Sequence, residues 1–296
     1  MRRFLFRGKF LTMELLNGRA IAKKILNELK ENIAKSRVIP GLAVIMVGNN
    51  KASDLYVKLK AKAAARVGIQ FRLHKFSTQT KEAEIIKLID KLNKKTDISG
   101  IIVQLPLPRR FDTQKIINSI SPQKDADGFH PTNIKSFLSG RKDVFPVFPL
   151  AIITILKSIK FNFEGKKSAV ICNSRVFGQT VGMALRREGI ISKYILKKDF
   201  SRRKDDIKNA DIIITAVGEP ALISRPTVKN GAIVIDGGIT RKKGGTQGDA
   251  DPSSISNKAA YLSPVPNGVG PVTIACLLKN VHKLALRRKK YPTERI

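Results

Sequence analysis

Residues 42–60 read LAVIMVGNNKASDLYVKLK and decide the fold class. The apolar run from Leu42 to Val47 is too short for a helix and ends at the turn Gly48-Asn49-Asn50, so it predicts a buried strand. A helix is expected to follow from about Ser53 to Val67. A buried strand, a glycine-containing turn and a helix together form the repeating unit of a parallel α/β sheet.

Strands and helices alternate in the same way along the rest of the chain. Upstream, apolar residues recur every four positions from Ile21 to Ile33, which predicts a helix with Asn17 as its N-cap. Further strands are predicted at 69–73, 100–105, 168–172, 194–196, 211–217 and 232–236, helices near 85–92, 152–159 and 272–286, and a loop over 249–271. The pattern predicts a two-lobed α/β protein that divides near residue 149.

The composition excludes several classes of protein. No apolar run reaches the roughly 18 residues of a membrane-spanning helix. Cys172 and Cys276 are too few for a disulfide framework, and His74, His130 and His282 lie far apart, so no metal site is predicted. These features favour a soluble protein of a reducing cytoplasm or organelle matrix, and the cytoplasm is the expected location.

The formal net charge of +33 raises the question of nucleic-acid binding. The basic residues are spread over the whole length, with short concentrations at 197–204 and 287–290. The few aromatic residues do not interleave with them as stacking platforms would. A dedicated nucleic-acid-binding role is therefore disfavoured, although a positive surface could attract polyanionic small molecules.

The first twelve residues, MRRFLFRGKFLT, contain four basic residues and no acid, and they precede Met13. A transit peptide would begin in this way, but the segment lacks serine and is short for one. We expect residues 1–12 to be a dispensable basic extension or the product of an upstream start codon, because the apolar helical pattern begins only after Asn17.

Polar side chains mark the first strand-helix unit and two later loops. Ser53, Tyr56 and Lys60 stand at i, i+3 and i+7 on one helical face, which either contacts a ligand or is a solvated face in a lysine-rich protein. Gln104 closes the strand that precedes Pro106, and ligands of open α/β sheets bind outside the carboxyl ends of strands. A structural glutamine is the alternative there, and an ordinary turn aspartate is the alternative for Asp127.

Four segments form an ordered set of motifs. They are Ala52-Ser53-Asp54-Leu55-Tyr56-Val57 with Lys60 and Lys62, Val103-Gln104-Leu105-Pro106-Leu107-Pro108, Asp127-Gly128-Phe129-His130-Pro131 and Pro264-Val265-Pro266-Asn267-Gly268-Val269-Gly270-Pro271. In order and spacing they resemble the signatures of the bifunctional methylenetetrahydrofolate dehydrogenase/cyclohydrolase family. The resemblance implies an α/β folate-binding catalytic domain over 13–149, completed by a closing helix over 272–296. It also implies a C-terminal Rossmann-like, doubly wound, NADP-binding domain over 150–271.

The resemblance also implies the roles of the marked residues. A folate pocket between the lobes would have Tyr56 and Lys60 at the reacting one-carbon unit, Gln104 hydrogen-bonded nearby, and Asp127 holding the pterin ring as a bidentate acceptor. Lys60 would move protons in methenyl hydrolysis if burial or positive charge lowers its pKa. The implied substrate-binding set is completed by Ser53, Pro266, Gly268 and Val269. Family members are homodimers without a metal ion, and their folate substrate comes with or without a polyglutamate tail.

The dinucleotide half departs from the family pattern, which resembles Gly-x-Ser-x-x-Val-Gly-x-Pro where this chain has residues 172–180. A Cβ at Cys172 or Asn173 obstructs close approach of the backbone to a pyrophosphate, and Cys172 is expected to be a buried strand-end residue rather than a nucleophile. Lys197 and Lys198 end the next strand and favour the 2′-phosphate of NADP, with no acid expected there to accept the ribose. The candidate cofactor residues are Asn173, Ser174, Arg175, Gly178, Lys197, Lys198, Val217, Gly218, Gly238 and Ile239.

Three hypotheses follow, in decreasing order of weight. The first is a bifunctional enzyme that uses NADP, the second is a cyclohydrolase with weak or lost dehydrogenase activity, and the third is a non-catalytic nucleic-acid-binding protein on the same fold. If a dinucleotide binds, we expect NADP to bind better than NAD but more weakly than to an intact glycine loop.

Overall fold

The computed structural model describes residues 13–141, 145–242 and 245–290. They form two compact units. One consists of the described residues up to Arg19 together with Ile152–Gly270, and the other of Ala20–Ala151 together with the described residues from Pro271 onward. The predicted extension, residues 1–12, lies outside the described residues, and the predicted domain boundaries at 149 and 271 stay predictions.

Strands and helices alternate along the chain, as predicted. The strands are β1 Glu14–Leu15, β2 Gly41–Val47, β3 Gln70–Phe76, β4 Gly100–Val103, β5 Lys167–Cys172, β6 Ile191–Leu196, β7 Ile212–Ala216, β8 Ala232–Asp236, β9 Thr240–Lys242, β10 Gly245–Gln247 and β11 Ala259–Ser263. The α-helices are α1 Gly18–Ser36, α2 Lys51–Val67, α3 Glu82–Lys94, α4 Thr113–Asn118, α5 Pro131–Leu138, α6 Val147–Leu156, α7 Arg175–Arg186, α8 Lys204–Lys208, α9 Pro252–Ile255 and α10 Val269–Lys290. None of the helices within the described ranges combines the length and hydropathy needed to cross a bilayer.

The unit built on Ala20–Ala151 contains a parallel sheet whose described strands are ordered β3-β2-β4. Every residue of β2 is buried, as its continuous apolar run predicts. Ile85, Ile89 and Leu92 of α3 belong to one apolar cluster with alternate residues of β2 and β4. A central strand that is covered on both faces fixes the register of its neighbours.

Helix α2 begins directly after β2 because its first turn is capped. The Asn50 side chain accepts hydrogen bonds from the backbone amides of Ala52 and Ser53. Gly68 ends the helix with a φ of 84°, the left-handed conformation typical of a C-terminal glycine. The start of α2 is therefore held at the carboxyl end of β2.

The other unit contains a larger parallel sheet, whose described strands are ordered β1-β11-β8-β7-β5-β6. Its interior strands are apolar runs that are almost completely buried. The predicted parallel Rossmann-like sheet is confirmed. Because β5 to β8 all run parallel, the loops that follow them leave from the same edge of the sheet.

Two sequence-based predictions were wrong in detail. The segment 249–271, predicted as a loop, contains α9 and β11, because Ser, Pro and Asn flank a strand of only five residues. Helix α6 starts at Val147 rather than near Ile152, since Pro149 lies in its first turn, where a missing amide hydrogen costs no helical bond. β1, which pairs with β11, was not predicted because it has only two residues.

The packing of α7 on β6 predicts a difference between two glycines of one helix. A Cβ on Gly178 would lie 2.7 Å from Tyr194, whereas a Cβ on Gly182 would meet only the ends of flexible side chains at 3.3 Å or more. We expect Gly178→Ala to lower the free energy of unfolding by about 1–3 kcal/mol. Gly182→Ala, the matched control, should leave it unchanged or raise it by up to about 1 kcal/mol. Urea unfolding of both variants measures this, and equal stability would contradict the packing.

Candidate functional site

Ser53, Tyr56 and Lys60 lie along one face of α2, as their spacing predicts. Ser53 is 3% exposed, and its hydroxyl has no hydrogen-bond partner among the described residues. Tyr56 and Lys60 are partly buried. Ser53 is therefore not part of a solvated helix face, and its role in substrate binding stays a prediction.

Gln104 connects this face to the sheet. The Lys60 Nζ donates a hydrogen bond of 2.8 Å to the Gln104 Oε1. The Gln104 Nε2 donates to the Leu105 carbonyl at 2.7 Å, and its backbone amide donates to the carbonyl of Ile45 in β2 at 2.8 Å. These contacts fix the orientation of the amide, so its oxygen points to the amine of Lys60.

Burial shifts the pKa values of three side chains of this cluster. It lowers the pKa of the Lys60 amine, and the negative charge of Asp127 opposes that shift. Burial raises the pKa of Asp127 to about 6, with Lys60 lowering it and Asp125 raising it. Burial also raises the pKa of the Tyr56 hydroxyl. The pKa values of Lys60 and Asp127 therefore both move toward neutrality, which suits groups that exchange protons or alternate between charge states.

The loop that carries Asp127 is shaped by a different aspartate. Asp125 is 2% exposed and accepts hydrogen bonds from the amides of Gly128 at 3.0 Å and His130 at 2.8 Å, and from the side chain of Asn133 at 2.9 Å. The carboxylate of Asp127 accepts no hydrogen bond from the described residues. The turn-aspartate alternative thus applies to Asp125, which the sequence reasoning missed although an Asp three residues before a Gly is a turn signal.

Pro266 and Gly268 lie in the turn after β11, and Val269 is the first residue of α10. All three belong to the unit that holds the larger sheet. A Cβ on Gly268 would lie 2.2 Å from the hydroxyl of Ser263, so the turn leaves no room for a side chain. Asn267 has a φ of 81°, a left-handed conformation that asparagine tolerates. The role of Pro266, Gly268 and Val269 in substrate binding stays a prediction.

The candidate cofactor residues follow the carboxyl ends of four parallel strands. β5 is followed by Asn173, Ser174 and Arg175, β6 by Lys197 and Lys198, β7 by Val217 and Gly218, and β8 by Gly238 and Ile239. The structure therefore brings these loops to one edge of the larger sheet. Gly178 lies instead inside α7 against Tyr194, the place of the glycine that permits close helix-strand packing in Rossmann folds.

Side chains join these loops to one another. The Asn173 Nδ2 donates to the Val217 carbonyl at 2.9 Å, which links the loop after β5 to the loop after β7. The Lys197 ammonium forms an ion pair with the carboxylate of Glu219. The expectation that no acid lies near Lys197 is therefore wrong, because the acid comes from the loop of a different strand.

Cys172 ends β5 and is completely buried, as expected for a structural strand-end residue. Its thiol donates to the Ser174 carbonyl at 3.3 Å, and burial raises the pKa of the thiol. A thiol that stays protonated is a poor nucleophile. The expectation that its Cβ weakens pyrophosphate binding stays a prediction.

Asp249 organises the loop after β7 and was not among the predicted site residues. It is 0% exposed and accepts hydrogen bonds from the Thr215 hydroxyl at 2.6 Å and from the amides of Val217, Gly218 and Glu219 at 2.8, 2.9 and 2.7 Å. Its partners lie 30 to 34 positions away in sequence, so local spacing gives no sign of this role.

The residues at this edge fit the phosphates of a dinucleotide. The macrodipole of α7 places a partial positive charge at the amino end of the helix, where Ser174 and Arg175 lie. Arg175, Lys197 and Lys198 add exposed cations. Such an edge would hold the phosphates and leave the redox chemistry to the bound nicotinamide.

Two family models match this chain. Residues 16–127 match the catalytic domain of tetrahydrofolate dehydrogenase/cyclohydrolase, and residues 146–289 match the NAD(P)-binding domain of the same family. Together they cover most of the chain.

Relatives and solved structures agree with these models. The bifunctional protein FolD of Helicobacter hepaticus is 41% identical over 283 residues, which cover 93% of this chain and 98% of the relative. The crystal structure of the FolD methylenetetrahydrofolate dehydrogenase/cyclohydrolase from Campylobacter jejuni is 38% identical with a TM-score of 0.88, covering 93% of this chain and 99% of that one. The Trypanosoma brucei enzyme, solved with NADP and an inhibitor, is 30% identical with a TM-score of 0.89, covering 94% of this chain and 99% of that one. This chain therefore belongs to the tetrahydrofolate dehydrogenase/cyclohydrolase family.

Proposed function

We propose that this protein interconverts 5,10-methylenetetrahydrofolate, 5,10-methenyltetrahydrofolate and 10-formyltetrahydrofolate, by NADP-dependent dehydrogenation and by hydrolysis. The observation that carries the proposal is the contact of the partly buried Lys60 amine with Gln104, within reach of the charge of Asp127. This contact lies in the segment that matches the catalytic domain of the family. It supplies a proton-carrying group whose pKa is lowered from that of an ordinary lysine.

In the hydrolytic step, water attacks the carbon between two nitrogens of the methenyl compound, and a proton must then reach the nitrogen that leaves. A lysine in water is almost always charged and is a poor proton acceptor near neutral pH. Burial of Lys60 makes its neutral form accessible, so it can accept a proton from the attacking water and return one to the ring nitrogen. Gln104 holds the amine in place by accepting its hydrogen bond.

Asp127 is proposed to hold the pterin ring. The ring edge presents an amino group and an N–H side by side, and a carboxylate accepts both in a bidentate pair. Asp127 has no hydrogen bond from the described residues to its carboxylate, and Asp125 holds the loop around it. The remaining predicted substrate contacts, including Ser53, Tyr56 and the turn at Pro266, keep their proposed roles.

In the oxidative step, NADP accepts a hydride from the methylene carbon. The part of this chain is to bind and orient the dinucleotide at the edge formed by the loops after β5 to β8. A second candidate function is a cyclohydrolase with weak or lost dehydrogenase activity. It is favoured by the buried Cys172 in place of a loop glycine and by the engagement of Lys197 with Glu219.

A cytoplasmic location and a homodimer complete the proposal. The described cysteines, Cys172 and Cys276, are buried and form no disulfide bond, which fits a reducing compartment. Strand β3 pairs only with β2 among the described strands and so presents an open sheet edge, on which Leu73 is 43% exposed. An apolar residue on an open edge supports pairing with a second copy of the chain.

Replacement of Lys60 tests the proposed hydrolysis. Lys60→Met keeps the length of the side chain but cannot carry a proton, so we expect methenyl hydrolysis to fall by at least about 100-fold. Lys58→Met, an exposed lysine on the same helix, is the matched control and should retain wild-type activity. Circular dichroism checks the fold, and near wild-type hydrolysis by a folded Lys60→Met protein would refute the role.

The same preparation separates the two candidate functions. Wild-type protein that hydrolyses the methenyl compound and also reduces NADP with methylenetetrahydrofolate is bifunctional. Hydrolysis without NADP reduction would support the second candidate instead.

The raised pKa of Asp127 predicts that folate binding depends on pH. The carboxylate form accepts the pterin donors, and it is lost as the pH falls through about 6, so tetrahydrofolate should bind more weakly at pH 5 than at pH 7.5. Asp127→Asn should weaken binding by roughly 10- to 100-fold at pH 7.5 and remove this pH dependence. Calorimetric titration measures both. Asp90→Asn, an exposed carboxylate, controls for titration of the ligand, and identical pH curves for both variants would contradict the placement.

The dimer proposal is tested by sedimentation velocity. We expect the wild-type protein to sediment with twice the 32.7 kDa mass of one chain. Leu73→Lys should shift the population toward monomers by burying an unpaired charge. Ile191→Lys is the control, because Ile191 is an exposed residue of β6, an edge strand of the larger sheet. This substitution should leave the dimer intact. A wild-type monomer at micromolar concentration would exclude the dimer.

A further inference from the structure

The position that selects between dinucleotides lies at the end of β6. In Rossmann folds, the residue at the end of the second strand contacts the adenosine ribose, with an acid favouring its free hydroxyls and a base favouring a 2′-phosphate. Here β5 is the first strand of that unit, β6 pairs beside it, and Lys197 follows directly after β6. Lysine alone at this position favours a 2′-phosphate.

Glu219 brings an acid to the same place from another strand. It follows β7, which lies on the opposite side of β5 from β6. The ion pair between Glu219 and Lys197 therefore spans the carboxyl end of β5, where the loop to α7 begins. A dinucleotide whose pyrophosphate approaches the start of α7 meets both side chains.

The backbone that carries Glu219 is fixed from inside the protein. The buried carboxylate of Asp249 accepts the amide of Glu219 at 2.7 Å, and it also accepts the amides of the two preceding residues. The Asn173 side chain binds the Val217 carbonyl, and the Thr240 hydroxyl binds the Gly218 carbonyl at 2.9 Å. The reach of the Glu219 side chain toward Lys197 thus follows from a loop held at three points.

We propose that Glu219 is a specificity-determining residue that lowers the preference of this enzyme for NADP over NAD. Its carboxylate can accept hydrogen bonds from free ribose hydroxyls, and it competes with a 2′-phosphate for Lys197. NADP still binds better than NAD because Lys198 and Arg175 remain. The difference in affinity between the two dinucleotides is smaller than it would be without Glu219. The inference rests on the proposed dinucleotide binding by this edge.

The test compares the dissociation constants of NADP and NAD, measured by calorimetric titration of the full-length protein. Glu219→Gln should raise the ratio of the NAD dissociation constant to the NADP dissociation constant by roughly two- to fivefold. This is the change in affinity that corresponds to the free energy of an exposed ion pair. In a Lys197→Ala background the same substitution should change the ratio less, because no cation is released there. Damage to the fold would weaken both ligands and would not produce a gain for NADP.

Glu188→Gln is the matched control. Glu188 forms a partly exposed ion pair of 2.7 Å with Lys157 in the same unit and precedes the amino end of β6, so its replacement makes the same change in net charge away from the carboxyl end of that strand. The ratio of the NAD and NADP dissociation constants of Glu188→Gln should equal that of the wild type. An unchanged ratio in Glu219→Gln, an equal change in Glu188→Gln, or an undiminished change in the Lys197→Ala background would each overturn the inference. Failure of the wild type to bind either dinucleotide would overturn the proposed dehydrogenase activity as well, whereas the first three outcomes leave that activity standing.

Discussion

The hydrogen bond between Lys60 and Gln104 joins a helix to the carboxyl end of a buried strand, and both partners depend on β2. Helix α2 starts at the capped turn directly after β2, and Gln104 donates its own amide to the carbonyl of Ile45 within β2. A shift of β2 by one residue would move the amine and the amide apart and turn every side chain of that strand to the opposite face. The apolar core thus fixes a polar contact that contributes little to folding by itself.

Two carboxyl groups, those of Asp127 and Asp236, have raised pKa values that lower the stability of the fold at neutral pH. The pKa of Asp127 is raised from 3.8 to about 6, so the folded protein binds that proton more tightly than the unfolded chain does. The associated stability is present below pH 3.8 and is lost as the pH rises to about 6. Asp236, whose pKa burial also raises to about 6, differs in that its carboxylate accepts the amides of Gly238, Asp249 and Ala250. Those bonds hold the loop after β8, whereas the carboxylate of Asp127 accepts no hydrogen bond from the described residues.

The sequence predicted those features that depend on residues close together in the chain. Buried runs such as 42–47 and 232–236 predicted strands correctly, because only a strand buries so short a continuous apolar segment on both faces. The helical spacing of Tyr56 and Lys60 likewise predicted a shared face. The division of roles between Asp125 and Asp127 was missed, since both occupy one turn and only the folded backbone shows which carboxylate the amides reach. Contacts across the larger sheet were also missed, because strand order rather than sequence distance brings Glu219 to Lys197.

The high net charge affects the rate at which ligands associate more than it affects the selectivity of binding. A charge of +33 attracts every polyanion in solution, so it speeds the association of folates and of both dinucleotides. Salt screens this field beyond about 10 Å, and within that distance the arrangement of individual groups decides affinity. A cation such as Lys197 distinguishes a 2′-phosphate from a hydroxyl only if it lies beside the ribose and is not already in an ion pair with a carboxylate of the protein. The buried carboxylate of Asp249, which sets the backbone of Glu219, therefore affects discrimination more directly than the many exposed lysines do.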